Sequence, residues 1–408
     1  MMLIFIVWLV YTSSYLAKLS YSANITEIID FFGITKAQAG TVPTFFFFSY
    51  GTGQVVNGLL SKRYNVKWVV FISLLISGCI NLTAALTVDF SIIKWLWLVN
   101  GFVLSTLWPC LIRILSETLP TKLLGRSSVI MGTTIALGTL IIYGLSSFLA
   151  AFDKFKIAFC AAAFAVITVS VVWIFIYNRA VAAATGERLL EDTVSESNIH
   201  GAERAVSGRE KKLLLATLCA LCVCAVGINL VKDGLTTWVP SILKEAFSVS
   251  DSLSIFLTLF LPILAIFSNA FAVRVHTRIP DYVDHCVALF AVIGGFVVVV
   301  IGGFVSKLML IMFAGLIASS FLAASLNNLL MSVFPLFMRD KVDSGKVAGV
   351  LDGFCYIGSA ISSYGLGAIA DSFGWIYVFY TLLGVCVAIL LVWGAYSGVK
   401  HSLNKKAN

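Results

Sequence analysis

Two lysines lie where a charge is costly. Lys18 falls inside the apolar run from Met2 to Ala23, and Lys232, 214 positions later, inside the run from about Leu213 to Trp238. A lysine within a bilayer-spanning helix costs about 2.5–3.5 kcal/mol on insertion scales, so it is kept where it faces a water-filled cavity or an opposite charge. A polar residue precedes each by about one helical turn, Tyr15 before Lys18 and Asn229 before Lys232. Two like-placed cations in two halves of a chain are the chemistry of an anion clamp.

The elements that must carry these lysines are membrane spans. The chain of 408 residues is 60% hydrophobic and 12% charged, with a mean hydropathy of +0.99. Twelve apolar segments of spanning length are expected, near 2–23, 39–60, 68–88, 92–114, 126–150, 155–177, 211–234, 250–273, 283–305, 307–334, 346–370 and 375–397. The fold class is therefore an all-α integral membrane protein with twelve transmembrane helices. The polar interval Asn178–Lys212 divides six spans from six. This gives an N-terminal six-helix bundle (1–177), a cytoplasmic linker (178–210) and a C-terminal six-helix bundle (211–408).

The halves repeat one another. Asn57-Gly-Leu-Leu-Ser-Lys62 ends the second span as Asn269-Ala-Phe-Ala-Val-Arg274 ends the eighth. Gly125-Arg126 with Gly138-Thr139 in the fifth matches Gly345-Lys346 with Gly358-Ser359 in the eleventh. The offsets of 212 and 220 agree with the 214 relating the lysines, as parallel six-span repeats require.

The net charge of +8 is unevenly spread. Only Lys36, Lys94, Lys154, Lys156, Lys244 and Lys307 fall on one side of the expected membrane, and the other side holds most of the rest. By the positive-inside rule both termini are cytoplasmic, and the excess charge signals topology without any nucleic-acid partner. The basic face points to an inner, cytoplasmic membrane. Met1–Ala23 lacks a basic leader segment and its lysine recurs in the second half, so it is read as a retained helix. All nine cysteines fall within spans, as small packing residues; no metal or other cofactor is expected.

Further polar residues share helix faces with the lysines. Tyr11 and Tyr15 accompany Lys18, and Tyr50 and Gln54 lie one turn apart in the second span, after the run Phe45–Phe48. Trp108 precedes Pro109 in the fourth span, where proline can bend the helix, and Asn327 lies in a polar stretch of the tenth. These, with Asn229, are the candidate substrate contacts. Two acids complete the intramembrane charges, Asp233 and Asp352. Asp233 points about 100° away from Lys232 around the helix, so the two are not expected to cap one another. Asp352, past Lys346 on the eleventh helix, is expected near its cytoplasmic mouth.

These residues resemble a known family, the organophosphate:phosphate antiporters, the major facilitator branch of bacterial glycerol-3-phosphate and hexose-phosphate transporters. Tyr15-Leu-Ala-Lys18 resembles its first-span Tyr-Leu-x-Arg. Lys232-Asp-Gly-Leu-Thr-Thr-Trp238-Val-Pro240 resembles its seventh-span Arg-x-Gly-x-x-x-Trp-x-Pro, and Trp108-Pro109-Cys110 with Arg113 also matches. The resemblance implies two pseudo-symmetric bundles, alternating access, a small anionic substrate and inorganic phosphate as counter-substrate, in a monomer. Three positions depart from the pattern. Both phosphate-gripping arginines are lysines, the fifth-span histidine falls on Ile135, and the gate acid after the second span falls on Lys62. Lys62 is therefore expected to pair with Asp343 or Asp352 when the cytoplasmic side is closed.

The expected function is secondary transport of a small organic anion, a phosphorylated metabolite or a carboxylate, by exchange. The alternative is proton-coupled symport with Asp352 or Asp233 as proton carrier. A multispan enzyme or receptor fits less well: the sequence holds no paired catalytic carboxylates, metal-ligand cluster, nucleophile constellation or phosphate loop, so no enzyme is expected.

Overall fold

The computed structural model describes residues 1–60, 63–152, 154–192, 208–334 and 344–405. Among them every regular element is helical. The helices make twelve passages at the positions expected from hydropathy. The first (Met2–Ala23), third (Val66–Leu86), sixth (Phe155–Asp192), seventh (Gly208–Phe247), ninth (Tyr282–Val305) and twelfth (Trp375–Lys405) are single helices. So are the second (Lys36–Leu60) and the eleventh (Ser344–Phe373). A short extra helix, Ile25–Phe32, follows the first, ending at Gly33 with φ +60, a conformation that favours glycine. Nine described helices are long and apolar enough to span, or ten if the bent eighth passage is one span. The second and eleventh fall outside that set; both are rich in glycine and in serine, threonine and other polar residues.

The remaining passages are broken, and prolines account for two of the breaks. The fourth is Phe90–Leu104 followed by Leu107–Thr118. Pro109 has no N–H to give the carbonyl of Ser105, and the helix gives way at Ser105 and Thr106. The eighth is split into Asp251–Thr258, Phe260–Ala265 and Ser268–His276, and Pro262 stands four residues past Thr258, where the first break falls. The fifth breaks at Thr133, between Thr121–Gly132 and Thr134–Ala150. The tenth (Met309–Asn328) runs into a π-helical turn, Leu329–Val333, directly after its two asparagines.

By their internal contacts the residues form two compact units. One comprises Met1–Gly33, Phe45–Gly201 and Ser250–Ile266; the other comprises Ile34–Thr44, Ala202–Val249 and Phe267–Asn408. Each unit thus takes in a segment that sequence order alone assigns to the other half. In the second unit the reason is electrostatic. The carboxylate of Asp371 accepts the backbone N–H groups of Lys36 and Ala37 at 3.1 and 2.6 Å, the first turn of the second passage. The Lys36 ammonium lies 3.2 Å from Glu245 and 3.6 Å from Asp371. Thr44 donates to the Ala360 carbonyl, and a Cβ on Gly40 would collide with the Ser363 carbonyl. In the first unit Ser147 donates to the carbonyl of Ser252 at 2.7 Å.

The repeat is also a repeat of packing. Gly138 of the fifth passage lets the backbone of the first come close, at the Thr12 carbonyl and Tyr15 Cβ. Gly358 of the eleventh does the same against the Val226 carbonyl of the seventh, 214 positions after Thr12. A methyl group on either glycine would meet backbone.

Candidate functional site: two lysine centres

In the first unit, the first passage carries Lys18 on a rigid platform. The carbonyl of the preceding residue, Ala17, accepts amide N–H groups from Asn81 of the third passage (3.2 Å) and Asn100 of the fourth (3.3 Å). Ser20 and Ser77 donate to the oxygens of those two amides at 2.7 Å, so the amides hold one orientation. All four polar side chains are buried. The Lys18 ammonium then projects among aromatic rings. Tyr50 lies 4.6 Å from it by ring centroid, Tyr15 5.1 Å, Phe46 5.4 Å and Phe47 5.6 Å. Rings at this distance attract a cation through their negative faces. The cage is itself stacked: Tyr50 lies parallel to Phe46 at 5.5 Å, Tyr11 meets Tyr15 edge-on at 5.4 Å, and Trp108 packs on Tyr11 at 4.8 Å. Five expected residues, Tyr11, Tyr15, Lys18, Tyr50 and Trp108, are thus brought together. Gln54 is half-buried one turn beyond Tyr50. Phe46 and Phe47 were not expected as contacts; they belong to a phenylalanine run whose members cannot be told apart by type alone.

In the second unit the surroundings of Lys232 differ. Its ammonium lies 3.2 Å from Asp233 Oδ1. This corrects the expectation that neighbouring residues 100° apart cannot neutralise one another. The angle describes Cβ directions, whereas lysine's four-carbon stem swings its charge back along the helix surface. Asp233 Oδ2 accepts from the Ser359 hydroxyl of the eleventh passage, and Ser359 is wholly buried. Asn229, one turn before Lys232, donates to Asn327 Oδ1 of the tenth passage at 3.2 Å, and Cys355 approaches the same oxygen at 3.7 Å. Ser359 and Cys355 were not expected as part of this group. Ser359's match to Thr139 in the repeat was the available signal. Asp352, Cys355 and Ser359 fall at i, i+3 and i+7 on one face of the eleventh helix, so Asp352 shares the face that meets the seventh passage. Lys62 and Asp343, the expected gate partners, lie outside the described residues. No group of three or more metal-ligating side chains occurs among the described residues.

Charged groups held inside an all-helical, many-span protein suit a membrane transporter. Residues 3–342 match the Major Facilitator Superfamily, and the chain belongs to it. Its twelve helices in two pseudo-symmetric sets of six are the architecture of that family. Among solved structures, a bacterial homologue of the human lysosomal transporter Spinster aligns over 99% of this chain and 97% of its own, with TM-score 0.71 and 13% identity. A D-xylose–proton symporter aligns over 96% of each chain, with TM-score 0.69 and 11% identity. Sequence relatives match shorter stretches. The membrane sensor protein UhpC of Escherichia coli is 28% identical over 96 residues, 24% of this chain and 22% of its own. A probable hexose phosphate transport protein of Chlamydia pneumoniae is 27% identical over 107 residues, 26% and 24% of the two chains. Human sugar phosphate exchanger 3 is 34% identical over 84 residues, 19% and 17%. The matched stretches span about a sixth to a quarter of these relatives' lengths.

Proposed function

We propose that this transporter exchanges small organic anions, phosphorylated metabolites or carboxylates, across a cytoplasmic membrane, with inorganic phosphate as counter-substrate. The observation that carries the reading is the pair of repeat-related intramembrane lysines, each projecting among polar or aromatic side chains of its own unit. The relatives named for hexose phosphate transport and sugar phosphate exchange support an anionic sugar as substrate. On this reading Tyr11, Tyr15, Tyr50, Gln54, Trp108, Asn229 and Asn327 hydrogen-bond or pack the uncharged part of the substrate. Lys18 and Lys232 hold its charge, in a monomer with an N-terminal bundle (1–177), a linker (178–210) and a C-terminal bundle (211–408). The distribution of basic residues supports cytoplasmic termini.

Counterflow in proteoliposomes tests it. Vesicles preloaded with phosphate are expected to take up labelled glucose 6-phosphate, and to ignore neutral glucose. Lys18→Gln and Lys232→Gln are each expected to abolish uptake while still inserting as folded protein. Uptake that collapses with the proton gradient would replace exchange by proton symport through Asp233 or Asp352. Binding without any flux would place the protein with its sensor relative.

A further inference from the structure

We propose that Asp233 is a charge-selectivity element: a built-in anion that an incoming substrate must displace from Lys232, which favours dianions over monoanions. The inference rests on the reading of Lys232 as a substrate contact. Asp233 already occupies one side of the Lys232 ammonium at 3.2 Å, as a substrate oxygen would. Both side chains remain reachable, at 26% exposure for Lys232 and 20% for Asp233.

The carboxylate can also let go. Its second oxygen accepts the proton of Ser359, a wholly buried hydroxyl for which the Cys355 carbonyl at 3.2 Å is the longer, alternative acceptor. Asp233 displaced from Lys232 is therefore not left as a buried charge without a partner, the outcome that makes breaking such a pair expensive.

Selectivity follows from what is exchanged. A monocarboxylate that displaces Asp233 replaces one carboxylate by another, and gains little electrostatically while losing its own translational freedom. A phosphate ester carries about −1.5 to −2 charges near neutral pH, so the second charge is a surplus that Asp233 cannot match. The internal carboxylate sets a threshold that only the more highly charged ligand clears.

Purified full-length protein, titrated with glucose 6-phosphate and with gluconate, a polyol of similar size bearing one carboxylate, tests this. The wild type is expected to bind glucose 6-phosphate more tightly. Asp233→Asn and the smaller neutral Asp233→Ser are expected to lower the Kd for gluconate about tenfold, the scale of coupling between competing groups. The Kd for glucose 6-phosphate is expected to fall less, so the ratio of the two shrinks. Asp233→Glu, which keeps the charge, is expected to keep the wild-type ratio. A variant damaged only in its structure would bind both probes more weakly. A wild type that prefers gluconate, or neutral variants that retain the wild-type ratio, overturns the proposal. If Lys232→Gln leaves both titrations unchanged, it is the role of Lys232 itself that fails.

Discussion

Lys18 and Lys232 occupy equivalent places in the repeat, yet the protein accommodates the two charges by different physics. Around Lys18 four rings lie between 4.6 and 5.6 Å. Around Lys232 a carboxylate lies at 3.2 Å. On the proposed function the rings would offer a diffuse field that persists when an anion arrives, since a cation can face a ring and a phosphate at once. The carboxylate would compete with that anion for the same donor. The repeat has therefore preserved the position of the cation and changed what its neighbours do.

Arginine substitution breaks this comparison most sharply. Lys18→Arg puts a planar guanidinium among rings on which it stacks, and the Kd for glucose 6-phosphate is expected to stay within about twofold of wild type. Lys232→Arg offers Asp233 a fork for both of its oxygens, and binding is expected to weaken about tenfold. Adding Asp233→Asn to Lys232→Arg should recover the loss. Equal behaviour of the two arginines would mean the environments are interchangeable.

Removing neighbours should move the two centres in opposite directions. Tyr50→Leu deletes the nearest ring to Lys18, which on the proposed function packs against the substrate, and is expected to weaken glucose 6-phosphate binding several-fold. Tyr50→Phe keeps the ring and should retain most of the affinity. Neutralising Asp233, by contrast, is expected to tighten binding. If Tyr50→Leu also tightens it, the cage competes with substrate just as the carboxylate does.

The smallest effect comes from a lysine–aspartate pair outside the spans, which serves as a control. Lys400 Nζ lies 2.6 Å from Asp281 Oδ2, and Tyr396 donates to the same oxygen. Burial pushes the Asp281 carboxyl up, but the hydrogen bond from Lys400, with those from Asp284 N–H and Tyr396, holds it below its ordinary value. The bond to Asp281 raises Lys400, partly opposed by burial. Because Asp281 is depressed, its contribution to stability is present above its unfolded pKa of about 3.9 and fades as pH falls through the folded value. Because Lys400 is raised, its contribution is complete below about 10.4 and fades as pH rises through its folded value. With Lys400 at 36% exposure, solvent screens the pair, so Asp281→Asn should cost less than about 1 kcal/mol in thermal unfolding at neutral pH. The difference should narrow toward both extremes, with glucose 6-phosphate binding unchanged.

The architecture was legible in the sequence because hydropathy reports length and the lysines report depth. The twelve passages stand where their apolar runs do, and Tyr15 lies beside Lys18 as the helical spacing implied, with Tyr11 packed on Tyr15. Pro109 was readable as a bend, but the break appears at Ser105 and Thr106, where the missing N–H is felt. What was not legible depends on side-chain reach and on pairing across helices. Asp233 was misjudged because helical angle ignores a flexible stem. Ser359 and Cys355 could be ranked only once the eleventh helix was seen against the seventh. The exchange of Ile34–Thr44 and Ser250–Ile266 between units is set by hydrogen bonds that join residues about a hundred or more positions apart.

The anchoring of Lys36 also ties the second unit to the ionic strength of its surroundings. Lys36, Glu245 and Asp371 are 19%, 43% and 23% exposed, so dissolved ions reach all three. The Debye length shrinks from about 30 Å at 0.01 M salt to about 8 Å at 0.15 M, and attractions between exposed charges weaken with it. Residues 34–44 are therefore fastened by a clasp that salt loosens.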